Sequence, residues 1–217
     1  MQTLKDTDMK KDDLQIEDIQ KQNEASGSAF TSNALLSVSF SRIWAMPNHN
    51  TFDIPPIATF VKKYLYQSAV SIDPFARNKR WATYTNDLNP ETDAEYHMEA
   101  RDFLKTLADK GVKADLLIFD PPYSPRQVKE CYDGIGRKMQ MEDGQTSRMR
   151  KEWKDLMLPL LTLNSVVLSF GWNTVGMGLT NGFEIMEIML CCHGADHNDT
   201  ICMAERKTIN MQQELYG

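Results

Sequence analysis

Apolar positions along this chain fall into short runs separated by polar punctuation, and no sustained pattern begins before Asn33. Residues 1–33 are polar and charge-mixed and end in NEASGSAFTSN. Such a stretch buries too little apolar surface to offset the entropy of ordering its backbone, so a mobile tail is expected, with at most a transient helix over DDLQIEDIQKQ. From Arg42 the text changes. RIWAMPNHNTFDI reads as an aromatic-bearing loop, and PPIATFVKKYL opens on prolines suited to a first helical turn before apolar residues recur at helical spacing. QSAVSIDPFA predicts a short strand ending at Asp73, and ATYTNDLNP a second ending at Asp87 and stopped by Pro90. AEYHMEARDFLKTLADKG turns helical toward its end, with Gly111 as the stop. ADLLIFD is a near-continuous apolar run of strand length, as a strand buried on both faces requires.

Beyond it, SPRQVKECYDGIGRKMQMEDGQTSRMRKEW mixes both charge signs and is expected to be a long loop, of the kind that is functional or disordered. EWKDLMLPLLT then predicts a helix and NSVVLSFGW a strand. FEIMEIMLCCHG and DTICMAERK predict two more strands joined by the turn ADHN. Strands alternating with helices and closing on a hairpin imply an open, mostly parallel α/β sheet with one antiparallel strand at its end. Ligands of such sheets sit at the carboxyl ends of the strands. Asp73, Asp87 and Asp120 all fall at those ends.

Composition narrows the picture. The 217 residues, 41% hydrophobic and 25% charged, suffice for one sizeable core, hence a single domain over 34–217 after the tail. A net charge of -6 gives no general attraction to polyanions, so such a partner needs a local basic surface. No apolar run is long enough to span a bilayer and the N-terminus lacks a secretory core, so a soluble, cytoplasmic protein without membrane partners is expected. The four cysteines do not form a disulfide framework in a chain of this length. CCHGADHNDTIC gathers Cys191, Cys192, His193, His197 and Cys202, but its spacing fits no zinc pattern. Buried thiols at strand ends and histidines in a turn are the plainer reading.

The apolar run ends in Asp120-Pro121-Pro122-Tyr123. This resembles the catalytic motif of S-adenosylmethionine-dependent amino-group DNA methyltransferases, in the form usual for N6-adenine enzymes. Around it, IDPFA resembles that family's first-strand cofactor motif and TNDLNP the second-strand motif. EARDFL resembles the third motif, SVVLSFGW a later sheet strand, and RIWAMPNHNTF the segment flanking the cofactor's methionine end. The likeness spans roughly residues 42–207, in the order seen in small bacteriophage members. It implies a class I methyltransferase (Rossmann-like) fold, S-adenosylmethionine as cofactor, DNA as partner and no metal. On the same basis Met46, Asn48, Asp73, Pro74 and Phe75 lie toward the methionine end. Asp87, Leu88 and Asn89 take the ribose, and Asp102 with Phe103 borders the adenine ring. The family has glycines after this DPF; here Ala76, Arg77 and Asn78 follow. Either a different but working loop or a weakened cofactor site is implied.

The chemistry of the motif stands without the family. An adenine exocyclic amine is a poor nucleophile because its lone pair is delocalised into the ring. An acceptor-only carboxylate at Asp120 and the carbonyl of Pro121 can each take one amino hydrogen, favouring a tetrahedral nitrogen and strengthening as charge develops. The prolines fix the backbone that aims that carbonyl, and Tyr123 offers a face for a base extruded from the duplex. Arg126, Lys129, Arg137 and Lys138, then Arg148, Arg150 and Lys151, are candidates to meet phosphates, with a solvated mixed-charge segment as the alternative. Trp172 is expected in the core or at the rim. Little sequence remains for a separate target-recognition domain, which implies loose or very short sequence recognition. Two other readings stay open: an RNA adenine methyltransferase, and a non-catalytic nucleic-acid-binding module on the same fold.

Overall fold

The computed structural model describes residues 38–138, 146–194 and 197–209. The expected N-terminal tail lies outside the described residues. Among them, seven strands form one sheet: β1 (Ser39–Trp44), β2 (Ser71–Asp73), β3 (Tyr84–Thr85), β4 (Ala114–Phe119), β5 (Leu161–Gly171), β6 (Phe183–Cys192) and β7 (Thr200–Lys207). Their order is β1-β6-β7-β5-β4-β2-β3. Neighbours run parallel except β7, which is antiparallel to both β5 and β6. The architecture is the expected mostly parallel α/β sheet with a terminal antiparallel hairpin. Among the described residues four α-helices accompany it: α1 (Pro55–Leu65), α2 (Ala100–Asp109), α3 (Pro125–Gly134) and α4 (Thr146–Met157).

β4 shows why the run ADLLIF is apolar throughout. Alternate residues of a strand face opposite sides, and here both sides are covered. Leu116 and Ile118 pack with Ile57, Phe60 and Val61 of α1. Leu117 and Phe119 pack with Phe103, Leu104 and Leu107 of α2 and with Trp153 and Met157 of α4. The helices supply the matching stripe: Ala100, Phe103, Leu104 and Leu107 recur at one-turn spacing and are all buried.

From β2 the chain moves outward to β3, then returns past β2 to lay β4 on its other side. The strand order thus reverses between β2 and β4, where α/β sheets open a crevice at their carboxyl ends. Ile72 lies opposite Leu117, so the segments leaving the two strands, Asp73-Pro74-Phe75 and Asp120-Pro121-Pro122, emerge side by side. An aromatic interlock ties them. Phe75 meets Trp153 edge-on at 5.2 Å between ring centroids and Phe119 at 6.0 Å, while Phe119 meets Trp153 at 6.2 Å. Such edge-to-face contacts add to the area the rings bury.

Three expectations need correction. RIWAMPN does not begin as a loop: Arg42 to Trp44 belong to β1, an edge strand exposed along its length and therefore without the in–out alternation that marks a half-buried strand. The stretch after Tyr123 is not a long loop either. α3 starts at once, with Ser124 as N-cap accepting from the Gln127 N–H (3.3 Å) and Pro125 in the first turn. α4 likewise begins at Thr146, before the predicted start near Glu152. At the other end of the sequence, Cys191, Cys192 and Cys202 are buried in the sheet. His193 is buried too, its ring bonded to the Ala45 carbonyl and the Thr200 hydroxyl.

Replacing the centre of the interlock, Trp153→Ala, is expected to destabilise the fold by about 3–5 kcal/mol. Urea denaturation followed by far-UV circular dichroism checks it, and a loss under about 1 kcal/mol would show that the rings do not brace the two strand ends.

Candidate active site

The residues leaving β4 open directly onto a cleft. Asp120 and Tyr123 are half-buried, and the Tyr123 hydroxyl donates to Asp120 Oδ1. The Tyr123 backbone N–H donates to Gln127 Oε1 (2.6 Å), fixing the motif to the first turn of α3. Trp172, exposed just past β5, stands edge-on to the Tyr123 ring at 5.7 Å. Asp120, Pro121, Pro122 and Tyr123 line a cavity of about 350 Å³ together with Thr51, Phe52 and Lys79.

A second cavity of about 360 Å³ adjoins it, with Phe75, Arg77, Asp87 and Pro122 in both linings. Its walls are apolar at Leu88, Met98, Ala100, Val128 and Trp153, and polar at Asp87 and Asn89. Asp87 is held from both oxygens: Oδ1 accepts the Asn89 N–H (2.8 Å) and Oδ2 the Arg77 N–H (3.1 Å). Beneath it, buried Asn86 donates from Nδ2 to the Pro74 and Met98 carbonyls (3.1 and 3.0 Å) and accepts the Met98 N–H (3.1 Å). One side chain thereby joins the β2 turn to the approach of α2. Arg77, where a glycine was expected, has φ 49°. The backbone makes the left-handed turn without the residue that makes it freely, at a local cost of about 1–2 kcal/mol.

The sequence-predicted residues divide. Pro74, Phe75, Asp87, Leu88 and Asn89 line the second cavity, as the motif residues line the first. Asp73 lies under them, 1% exposed, with its carboxylate accepting the Phe75 N–H (3.0 Å). Asp102 and Phe103 do not reach the cleft. Phe103 is fully buried on the core stripe of α2, and Asp102 on its outer side pairs with Arg101. It is the start of that helix, Met98 to Ala100, that meets the cavity. Met46 is exposed and lines neither cavity, and Asn48 shapes the next turn by accepting the Asn50 N–H (2.9 Å). His49, Asn50 and Thr51 take the lining places instead. The proline-bounded turn before α1 signalled that segment, though not which residues face inward.

Several of the candidate phosphate contacts are already paired. Arg126 bonds Glu130 (2.9 Å) and Lys129 bonds Asp133, both one turn along α3. Arg137 pairs with Glu99 and lies over the Tyr132 ring. Lys138 is exposed. Among the described residues no group of three or more His, Cys, Asp or Glu side chains is placed to hold a metal ion, and no helix is long and apolar enough to cross a membrane.

No family model matches the chain, and no curated protein does. Among solved structures, the chain is similar to SMU.776, described as "a putative methyltransferase complexed with SAH", at 12% identity and TM-score 0.47, over 68% of this chain and 48% of that one. It is also similar to NSun6 from Pyrococcus horikoshii with SFG, at 13% identity and TM-score 0.46, over 68% and 50%. A third is the N-methyltransferase NodS from Bradyrhizobium japonicum WM9, at 10% identity and TM-score 0.40, over 71% and 98%. The chain thus spans about half the length of the first two. The functional reading rests on the cleft itself.

Burial governs the electrostatics of the strand ends. It pushes the Asp73 carboxyl well above the ordinary carboxylate range, against the lowering effect of the Phe75 N–H; Asp120 and Asp87 nearby push it further. Burial also raises Asp120, opposed by hydrogen bonds from the hydroxyls of Tyr123 and Thr51. A carboxyl with a raised folded-state pKa binds its proton more tightly in the folded than in the unfolded chain, so its contribution to stability is lost as pH rises from the ordinary range through the raised value. Asp73→Asn keeps an acceptor for the Phe75 N–H and does not titrate. It is expected to flatten the fall of Tm between mildly acid and neutral pH, read by scanning calorimetry. An unchanged slope would mean that Asp73 ionises freely.

Proposed function

We propose that this chain is a methyltransferase that modifies the N6 amino group of adenine in DNA with S-adenosylmethionine as methyl donor. The observation that carries the reading is the continuity of the two cavities: the acid-proline-proline-tyrosine segment opens onto the same cleft as the Asp87 turn. The second cavity fits a nucleoside. It is of ligand size, its walls offer apolar faces for a purine, and a fixed carboxylate stands where ribose hydroxyls need an acceptor. Phe75, Leu88, Met98 and Trp153 would hold the adenosyl part and Asp87 the ribose. When bound, the cofactor supplies an electrophilic methyl group on a positively charged sulfur.

The chain's own residues do the rest. An extruded adenine reaches the first cavity, where the aromatic edge formed by Tyr123 and Trp172 gives it a surface to stack on. Asp120 Oδ atoms have lone pairs beyond the one taken by the Tyr123 hydroxyl, and one accepts an amino hydrogen of N6. The Pro121 carbonyl accepts the other. Both contacts strengthen as the new N–C bond forms and N6 becomes positive, which is the differential that lowers a barrier. N6 must then release a proton. The burial that raises the pKa of Asp120 makes it a better acceptor for that proton than an exposed carboxylate. Arg77 supports a working cofactor loop over a lost one, because its backbone takes the conformation a glycine would take. Recognition of sequence is expected to be loose or very short.

Tritiated methyl transfer onto unmethylated DNA and RNA tests the proposal. DNA should be labelled at adenine N6, and Asp120→Ala should lower the rate by at least about 100-fold. Labelling confined to RNA would reassign the substrate, and labelling that survives Asp120→Ala would remove this carboxylate from the chemistry. A pH profile gives a second check. Asp120 must be ionised to accept, so activity should fall as pH drops through its raised pKa. Tyr123→Phe removes a hydrogen bond that lowers that pKa while keeping a stacking ring, so the acid limb should move to higher pH. Movement to lower pH would contradict the assignment.

A further inference from the structure

We infer that Arg77 is the specificity residue that receives the carboxylate of the cofactor's amino-acid moiety. The inference rests on the methyltransferase reading and deepens it, since the resemblance supplies only glycines at this turn.

Arg77 stands in the wall shared by the two cavities. Its backbone is fixed from one side by the bond to Asp87 Oδ2 (3.1 Å). Its side chain is oriented from the other, with Nη1 donating to the His49 carbonyl (3.2 Å) and to Asn50 Oδ1 (2.5 Å). Both acceptors are neutral. Among the described residues no carboxylate pairs with this guanidinium, although Asp53, Asp87, Asp120 and Glu130 line the same cavity. Lys79, another cation of that lining, is occupied by Asp53 (2.6 Å). A guanidinium held by one nitrogen leaves its remaining donors as an oriented fork, the geometry that takes a carboxylate.

The charge layout selects the ligand. A cavity with several carboxylates repels a simple anion and would hold a simple cation anywhere along its wall. An α-amino acid group carries both charges, and it matches a wall of acids interrupted by an arginine whose charge acts on Asp120 through space without a hydrogen bond to any carboxylate among the described residues. The strained backbone at Arg77 has a purpose on this account: glycine would make the turn at lower cost but would leave the carboxylate unpaired.

Isothermal calorimetry with two neutral thioethers separates the contributions. S-adenosylhomocysteine carries the amino-acid moiety, and 5′-methylthioadenosine lacks it. Arg77→Gly should raise the Kd for S-adenosylhomocysteine by at least about tenfold, leave that for methylthioadenosine within about twofold, and leave Tm unchanged or raised. Arg77→Lys should restore part of the loss. Equal weakening of both ligands would mean that Arg77 only shapes the loop. Tighter S-adenosylhomocysteine binding would mean that the side chain obstructs the cleft. Loss of affinity for a DNA duplex without loss for S-adenosylhomocysteine would assign Arg77 to phosphate. Each of those three outcomes overturns the inference while leaving the cofactor reading standing. Wild-type protein that binds neither thioether would overturn both.

Discussion

Every feature of the candidate site depends on the parallel alignment of β2 with β4. Because Ile72 sits opposite Leu117, Asp73 comes level with Ile118 and two acid-bearing turns leave neighbouring strands in the same direction, Asp120 two residues further along. Neither turn is stiff by itself, since each follows a strand of only a few residues. What makes their separation definite is the ring packing behind them. Phe75 lies two residues after Asp73 and Phe119 one residue before Asp120, and Trp153 from α4 meets both. On the proposed reading, a fixed distance between the Asp73 turn and the Asp120 turn is what a reaction that transfers a group from one ligand to another needs, because reacting atoms must be held near contact. The interlock is how a sheet with a two-residue β3 at its edge meets that condition.

The same alignment carries a cost. Asp73 is buried with a single hydrogen bond to its carboxylate, and Asp120 is half-buried beside it. A chain selected for stability alone would place neither acid there, since a buried carboxyl is driven toward its neutral form. Arg77 adds a left-handed backbone without glycine. The sheet holds other unfavourable choices, buried Glu205 and Lys207 in β7 and left-handed Asn164 in β5, but three gathered in one cleft are what a functional site looks like energetically.

The sequence made the centre of the sheet legible and its margins less so. ADLLIF is apolar at every position because helices cover both faces of β4, and a run of that kind admits few other readings. The acids at Asp73, Asp87 and Asp120 could be placed because a strand followed by proline or asparagine has a clear end. β1 escaped notice because an exposed edge strand has no face to distinguish. α3 escaped because only Val128 and Tyr132 of it are buried; its signal lay in Ser124-Pro125 and in opposite charges one turn apart, which support a helix without marking a core face. Asp102 and Phe103 were assigned to the cleft because a linear motif does not say on which side of a helix its residues fall. Arg77 looked like a defect for a similar reason: composition reveals a missing glycine, whereas the dihedral angle it was needed for is seen only in the folded chain.

The charges on α3 bear on how a polyanion would be met. Arg126 with Glu130 and Lys129 with Asp133 make that face close to neutral, so it exerts little long-range pull in a protein of net charge -6. Exposed pairs of this type are worth little and exchange partners readily. A phosphate arriving at the helix can therefore take an arginine or lysine from its carboxylate at small cost, but only after it has come within a few ångströms. Elsewhere Lys62 and Lys79 stand over the Trp81 ring, beside the Phe52 that lines the Asp120 cavity. Lys79 is pinned there by Asp53, whereas Lys62, at the end of α1, has an aromatic face and the negative end of the helix dipole to hold it and no carboxylate to displace among the described residues. Contact with a nucleic acid at this cleft would thus be short-ranged on the α3 side and begin more freely on the α1 side. On the proposed reading, a chain of net charge -6 would draw its hold on a base chiefly from the stacking and hydrogen bonds inside the cavity.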